Sequence, residues 1–267
     1  MEALGITGEF AHELGLAMAM ADAADALSMQ YYRREDLLVT TKPDATPVTE
    51  ADQAVERAIR ATLAEQMPAD DIIGEEFGGE TGAGRRWIVD PIDGTKNYMR
   101  GVPVWATLIS LAVDESLVVG VVSAPAMGRR WWAATGAGAW TREVDGSIRR
   151  LHVSSVGSLA DASFAFSDAV DWDRHSRTPG TLRRVIDATW RQRGYGDFWS
   201  HMLVAEGAVD VSAEPTLAPW DMGALLPVIT EAGGRVSGYL GGDPIAQLSL
   251  IASNGLLHDQ MLDLIAR

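Results

Sequence analysis

The chain has 267 residues, a formal net charge of −15, 47% apolar and 22% charged residues, and no cysteine. The missing cysteines exclude disulfides, thiolate zinc sites, iron–sulfur clusters and cysteine nucleophiles, and the acidic balance argues against a nucleic-acid surface, which needs clustered Lys and Arg. No apolar run approaches the roughly 20 residues of a membrane span, and Met1 to Phe10, with Glu2 and Glu9, does not read as a signal peptide, so a cytoplasmic location is the expectation.

In chain order, the spacing of Phe10, Leu14, Ala17, Ala21, Ala24 and Leu27 predicts a long helix to Arg34. Thr40 to Val48 reads as a loop or short hairpin, and Thr49 opens a second helix with Val55, Ile59 and Leu63 on one face. Met67 to Arg86, rich in Gly and acid, is expected to be mobile. Strands are predicted at 87–89, 107–113, 117–122, within RRWWAATGAGAW, and at 151–153, 163–166, 209–213 and 248–252. Helices are predicted at 181–190, 198–206, 222–232 and 256–265. The length suits one domain over 1–267, with an N-terminal α+β part to about residue 150 and a C-terminal α/β part from about 151. The mixed order of elements points to a layered α/β or α+β architecture.

The chemistry is carried by carboxylates. Asp90-Pro91-Ile92-Asp93-Gly94-Thr95 directly follows the apolar run Trp87-Ile88-Val89, so a buried strand is expected to end in two acids joined by a Pro-fixed turn. Asp90, Asp93 and the Ile92 carbonyl are hard oxygen ligands suited to Mg²⁺. The N–H groups of Gly94 and Thr95, at the start of a following helical turn, could hold phosphate oxygens. An isolated DxxD is more often a surface turn, but this one has acidic counterparts. Glu75 follows the β-like Asp71-Ile72-Ile73, and Asp221 starts the helix that Gly233-Gly234 terminates. Each also has a plainer reading: a solvated acidic loop for Glu75-Glu76, an N-cap for Asp221. Asp52 either completes a capping arrangement with Thr49 or aims inward at the metal site. Phosphate-binding P-loop, dinucleotide, zincin and nucleophile-elbow motifs are absent, and the five histidines read as surface or packing residues. An acidic chain acting on an anionic substrate needs bound divalent cations to neutralise it.

Together, GEE at Glu75, DPIDGTKN from Asp90, WDMGALLPVITEAGG from Trp220 and KPDATPVTEAD ending at Asp52 resemble the inositol-monophosphatase-like family of Mg²⁺-dependent phosphatases, in order and approximate spacing over nearly the whole chain. The resemblance implies a layered αβαβα sandwich of the inositol monophosphatase and fructose-1,6-bisphosphatase type, two or three Mg²⁺ ions (Mn²⁺ as a substitute), a small phosphorylated substrate and a homodimer. It matches Glu75, Asp90 and the Ile92 carbonyl to the first metal, and Asp90, Asp93 and Asp221 to the second. Asp52 and Thr95 match the pair that orients and deprotonates the attacking water.

Within the family, TKPDATPVTEAD, GEEFGG, GVPVWATLISL, VVSAPAMGRRWWAA, YGDF and LVAEGAVD are most similar to the histidinol-phosphate phosphatases, with inositol monophosphatase or a related monoesterase as the alternative. In the stretch Arg193-Gly194-Tyr195-Gly196-Asp197, expected to border the substrate, Asp197 supplies a carboxylate suited to a cationic alcohol; it reads equally as a helix N-cap ahead of Phe198. Glu214 matches a substrate-binding Glu of both subgroups. A silent metal-binding relative of the enzymes would have lost a ligand or the Asp52–Thr95 pair, and none is lost. Two departures stand out: Gly223 replaces the usual Ala of the WDxA pattern, and Pro227 falls inside a predicted helix, where it should kink the chain.

Overall fold

The computed structural model describes residues 6–43, 46–79, 84–176 and 178–266. Positions 44 and 45 of the expected hairpin loop and 80–83 of the Gly-rich stretch lie outside the described residues.

Helix α1 (Ala11–Tyr31) turns Leu14, Ala17, Met20, Ala21 and Ala24 inward; the small side chains let it lie close to the sheet beneath. An antiparallel hairpin, β1 (Val39–Thr41) and β2 (Pro47–Thr49), leads into α2 (Glu50–Gln66). Thr49 caps α2 by accepting from the N–H groups of Ala51 and Asp52, and Asp52 returns its carboxylate to the Thr49 N–H, which satisfies otherwise orphan donors.

Seven strands then form one sheet in chain order: β3 (Asp71–Gly74), β4 (Arg85–Asp93), β5 (Ala106–Val113), β6 (Ser116–Ala124), β7 (Arg129–Ala134), β8 (Gly138–Arg142) and β9 (Ile148–Arg150). Only β3 and β4 run parallel. The helix α3 (Thr95–Met99) directly follows β4. Alternation along β7 sorts the layers, since Trp131 and Ala133 face one core while Trp132 and Ala134 face the other.

The second sheet contains β10 (Ser163–Phe166), β11 (Arg191–Gly194), β12 (Val211–Glu214), β13 (Arg235–Ser237) and β14 (Leu250–Ser253), in the order β11-β10-β12-β14-β13. Its helices are α4 (Ala169–His175), α5 (Thr181–Ala188), α6 (Asp197–Ala205), α7 (Pro219–Gly223), α8 (Leu225–Glu231), α9 (Pro244–Gln247) and α10 (His258–Ala266). Residues of α1 and α2 pack with Val89, Ile109 and Val121 on the outer face of the large sheet. On its inner face, Leu108, Val122 and Trp131 meet Phe198 and Met202 of α6, Val228 and Ile229 of α8, and Leu250 of β14. Trp172, Val185 and Met261 of α4, α5 and α10 cover the far face of the small sheet. The layers therefore run α-β-α-β-α, as the resemblance implied. Among the described residues no helix is long and apolar enough to cross a membrane.

Several local expectations change. Leu151–Val153 is not a strand, although Leu151 N still donates to Ala139 O. Strand β12 starts at Val211, two residues late. The single helix expected at 222–232 is broken at Ala224. Pro227 accounts for the break: it has no N–H for the carbonyl of Gly223, four residues back, and its ring crowds that carbonyl. Gly223 is explained by a neighbour, because a Cβ there would collide with the Ser110 hydroxyl of β5.

Candidate active site

In a regular strand, side chains three apart face opposite sides. Asp90 pairs with Leu108 and Asp93 with Ala106, three residues against two, so the register slips between them. This β-bulge supplies the extra residue that returns both carboxylates to one side. Pro91 sits in the bulge, where its missing N–H removes no ladder bond. The strand thus continues through Asp93, and a bulge stands where the sequence suggested a Pro-fixed turn between the two acids.

Two further acids join them. Gly74 of β3 lies in register with Val89, and Glu75 N donates to Val89 O at 3.2 Å, which sets Glu75 beside Asp90. Asp221 is the third residue of α7 rather than its N-cap; its Oδ2 accepts from Ala218 N at 2.8 Å and leaves Oδ1 for other work. Asp90, Asp93 and Asp221 each present an oxygen within 4.8 Å of the others.

The electrostatics of this cluster are incomplete. Burial, then the charges of Glu75, Asp93 and Asp221, hold Asp90 well above the usual carboxylate range. Burial and the charges of Asp197 and Asp221 do the same to Asp93, and burial pushes Asp221 up to about 7. The cation bonded to this acidic loop is Lys42, whose Nζ lies 2.7 Å from both Glu75 Oε1 and Glu76 Oε1. Burial opposes its charge, but the two carboxylates hold its pKa above the ordinary lysine value. Like charges crowded in a partly buried space, all with oxygen donors, fit hard divalent cations.

Asp52 is fully buried and uses its two oxygens differently. Oδ2 accepts from Thr49 N (2.8 Å) and Thr49 Oγ1 (2.5 Å), whereas Oδ1 faces Thr95 Oγ1 at 3.3 Å. The Thr95 hydroxyl is also 3.0 Å from the Ile92 carbonyl. Asp52 therefore completes the cap with one oxygen while turning the other toward Thr95. Burial pushes its pKa up to about 6. Gly94, at the N-cap of α3, has φ +85°, and a Cβ there would lie 3.0 Å from Asp197 Oδ2 and Val104 O; glycine is required on both counts.

A cavity of about 480 Å³ opens beside the carboxylates, and its charged lining is Asp93, Asp168, Asp171, Asp197, Glu214 and Asp221 against Lys96 alone. Asp197 does not cap α6, contrary to one of its two sequence readings. It takes φ +45°, donates its N–H to Ser167 Oγ (2.8 Å) and accepts from Asn97 Nδ2 (2.8 Å). The cap comes from Asp93, whose Oδ2 accepts from Phe198 N at 2.8 Å. Burial pushes Asp197 up to about 6 and Glu214, whose Oε1 has no hydrogen-bond partner, up to about 8. Arg193 is not brought to this cavity: it is exposed, and its guanidinium donates to the Gln192 carbonyl. His201 is a packing residue, as expected, but it also walls the cavity, with Nδ1 2.8 Å from Ser212 Oγ and burial lowering its pKa to about 4. Sequence reasoning passed over Lys42, Glu56, Asn97 and Ser167. A signal existed for Glu56, which follows Asp52 by four residues on the same helix face, and for Asn97, which closes the DPIDGTKN run.

Comparison with known proteins places this arrangement. The family model described as the inositol monophosphatase family matches residues 11–267. The chain belongs to that family. It is 54% identical over 255 residues to a histidinol-phosphatase of Mycobacterium tuberculosis, covering 94% of this chain and 96% of the relative. A histidinol-phosphatase of Streptomyces coelicolor is 51% identical over 258 residues, covering 95% and 97%. Among solved structures, a Thermotoga maritima IMPase superposes with a TM-score of 0.84 at 29% identity, covering 96% of this chain and 97% of that one. Inositol monophosphatase family members are metal-dependent phosphatases of small phosphorylated substrates, and in this chain Asp90, Asp93 and Asp221 form an acidic cluster.

Proposed function

We propose that the protein hydrolyses histidinol phosphate to histidinol and phosphate, using two or three Mg²⁺ ions, with Mn²⁺ as a substitute. The observation that carries the reading is a cluster of three carboxylates, Asp90 buried and Asp93 and Asp221 half-buried, opening into a cavity whose wall is also acidic. Glu75, Asp90 and the Ile92 carbonyl would hold one ion, and Asp90, Asp93 and Asp221 a second. When bound, the ions supply Lewis-acid activation of water and neutralise the phosphate and the leaving oxygen. Gly94 and Thr95 offer N–H groups to the phosphate at the start of α3. Thr95 Oγ1 accepts the proton of the attacking water as its own passes to Asp52 Oδ1, which burial makes a better base than an exposed aspartate.

The leaving group would occupy the cavity. Histidinol carries an ammonium, and buried Glu214 and half-buried Asp197 are acids of the cavity wall whose carboxylate forms burial disfavours. A cationic alcohol relieves that cost; a neutral polyol does not. The support is the chemistry of the wall together with the two histidinol-phosphatases at 51% and 54% identity.

The test is the ratio of kcat/KM for histidinol phosphate to that for glycerol phosphate, with Mg²⁺ and after exhaustive chelation. Turnover should require the metal and strongly favour histidinol phosphate. Asp197→Asn should reduce the ratio by roughly one to two powers of ten, since a charge-assisted hydrogen bond contributes about 1.5–3 kcal/mol. A wild-type ratio near one, or turnover without metal, would overturn the proposal.

A further inference from the structure

The turn that carries Glu75 and Glu76 is held from outside the cluster. Gly74 and Gly78 close it by donating to each other's carbonyls, at 3.0 Å each way. Inside the closure, the N–H of Glu76 donates to Glu56 Oε2 at 2.7 Å and that of Phe77 to Glu56 Oε1 at 3.3 Å. Glu56 is completely buried on α2 and is neutralised by Arg60, whose Nε donates to Oε1 at 2.8 Å. The same guanidinium donates to the Gly78 carbonyl. One face of α2 thus grips both the donors and an acceptor of the turn. Gly74 is part of the fit, because a Cβ there would collide with the Glu56 carboxylate, while its backbone is not in the left-handed region.

Glu75 needs such a grip. Glu75, Asp90 and Asp221 are all carboxylates, so the acids that must converge on an ion repel one another without it. Asp52, the proposed base, lies one helical turn before Glu56, so α2 sets the base and the Glu75 turn from a single rigid element.

We propose that Glu56 is a positioning residue that preorganises Glu75 for metal binding by clamping the 74–78 turn. The inference rests on the reading of Glu75 as a metal ligand. Outer partners that orient a ligand typically contribute 10–100-fold in metal affinity.

The experiment is calorimetric Mg²⁺ titration alongside kcat at saturating Mg²⁺, for Glu56→Ala, Gly74→Ala, the double variant and Glu75→Gln. Glu56→Ala and Gly74→Ala should each weaken Mg²⁺ binding by about tenfold or more, with kcat at saturating metal within a few-fold of wild type. The double variant should be no worse than Glu56→Ala, because the added methyl then meets empty space; such non-additivity marks direct contact. If Glu56→Ala fails to fold, as half-buried Arg60 left without its carboxylate would allow, Gly74→Ala decides alone. Wild-type Mg²⁺ affinity in folded Gly74→Ala, or in folded Glu56→Ala, overturns the clamp. If Glu75→Gln also binds Mg²⁺ normally, the fault lies in the assignment of Glu75; if it alone binds weakly, the clamp fails and the ligand stands.

Discussion

The two oxygens of Asp52 have different partners, and the division separates its structural and chemical roles. Oδ2 belongs to the cap of α2, and Oδ1 meets Thr95. Asn at this position keeps one carbonyl oxygen and loses the charge, so the cap can be retained while the base is lost. Asp52→Asn should therefore lower kcat by about 10²–10⁴-fold and leave Mg²⁺ affinity unchanged. Single-turnover kinetics at saturating metal, paired with calorimetry, separate the two effects. Collapsed affinity with normal chemistry would make Asp52 a ligand and remove the proposed proton path. The same division of labour recurs at Asp93, whose Oδ2 caps α6, and at Asp221, whose Oδ2 holds Ala218 N. Each carboxylate is locked by a backbone donor at one oxygen, which fixes the direction of the other.

At the scale of elements, the site depends on irregularities: a bulge in β4, a break between α7 and α8, and a left-handed Asp197 at the start of α6. Elements far from the site are tied more conventionally. Helix α10 docks on β13 and β14 through buried His258, whose Nε2 lies 2.8 Å from Ser237 Oγ and whose Nδ1 lies 3.0 Å from Ser253 Oγ. Burial, then the charge of Arg235, lowers its pKa to about 4. An unfolded histidine titrates near 6.5. Below that pH the unfolded chain takes up a proton that the native chain refuses, so the contribution of a neutral His258 is present above about 6.5 and is lost as pH falls toward 4. His258→Asn should be less stable than wild type at pH 7, and the gap in Tm should narrow steadily down to pH 4.5. A gap that is constant with pH would mean that packing, not protonation, sets the contribution.

At the scale of the whole molecule, a chain of net charge −15 concentrates like charges where three layers meet. β3 and β4 bring Glu75, Asp90 and Asp93, α7 brings Asp221, and α2 brings Asp52. Metal binding should stabilise the entire fold by mass action, by about 2.7 kcal/mol at a hundredfold excess over Kd. Asp93→Asn tests the cost of the unfilled cluster, because the amide oxygen still accepts from Phe198 N while the charge is gone. In chelator its Tm should equal or exceed that of wild type, and the Mg²⁺-induced rise should be largely lost, as read by thermal denaturation with and without metal. A lower Tm in chelator, with a full Mg²⁺ response, would contradict a repulsive site filled by cations.

The acidic motifs and much of the secondary structure were legible in the sequence, because both are local. DPIDGT, GEE and WD each place carboxylates within a few residues of a strand or helix end, and the Thr49–Asp52 capping box spans four residues. The apolar periods of α1 and β5 could be read without knowing their neighbours. Pro227 announced an interruption, though only the helix geometry put it at the carbonyl four residues earlier. What the tertiary structure decided are contacts between residues distant in the chain, which no local pattern encodes. Asn97 holds Asp197 across 100 residues, and Asp93 caps α6 across 105. Lys42 finds Glu75 and Glu76, Glu56 clamps their turn, and Arg193, promising in sequence, turns away. A bulge likewise depends on the register with β5, not on β4 alone. Residue chemistry says which atoms can bind a metal; only the packing of sheets and helices says which atoms meet.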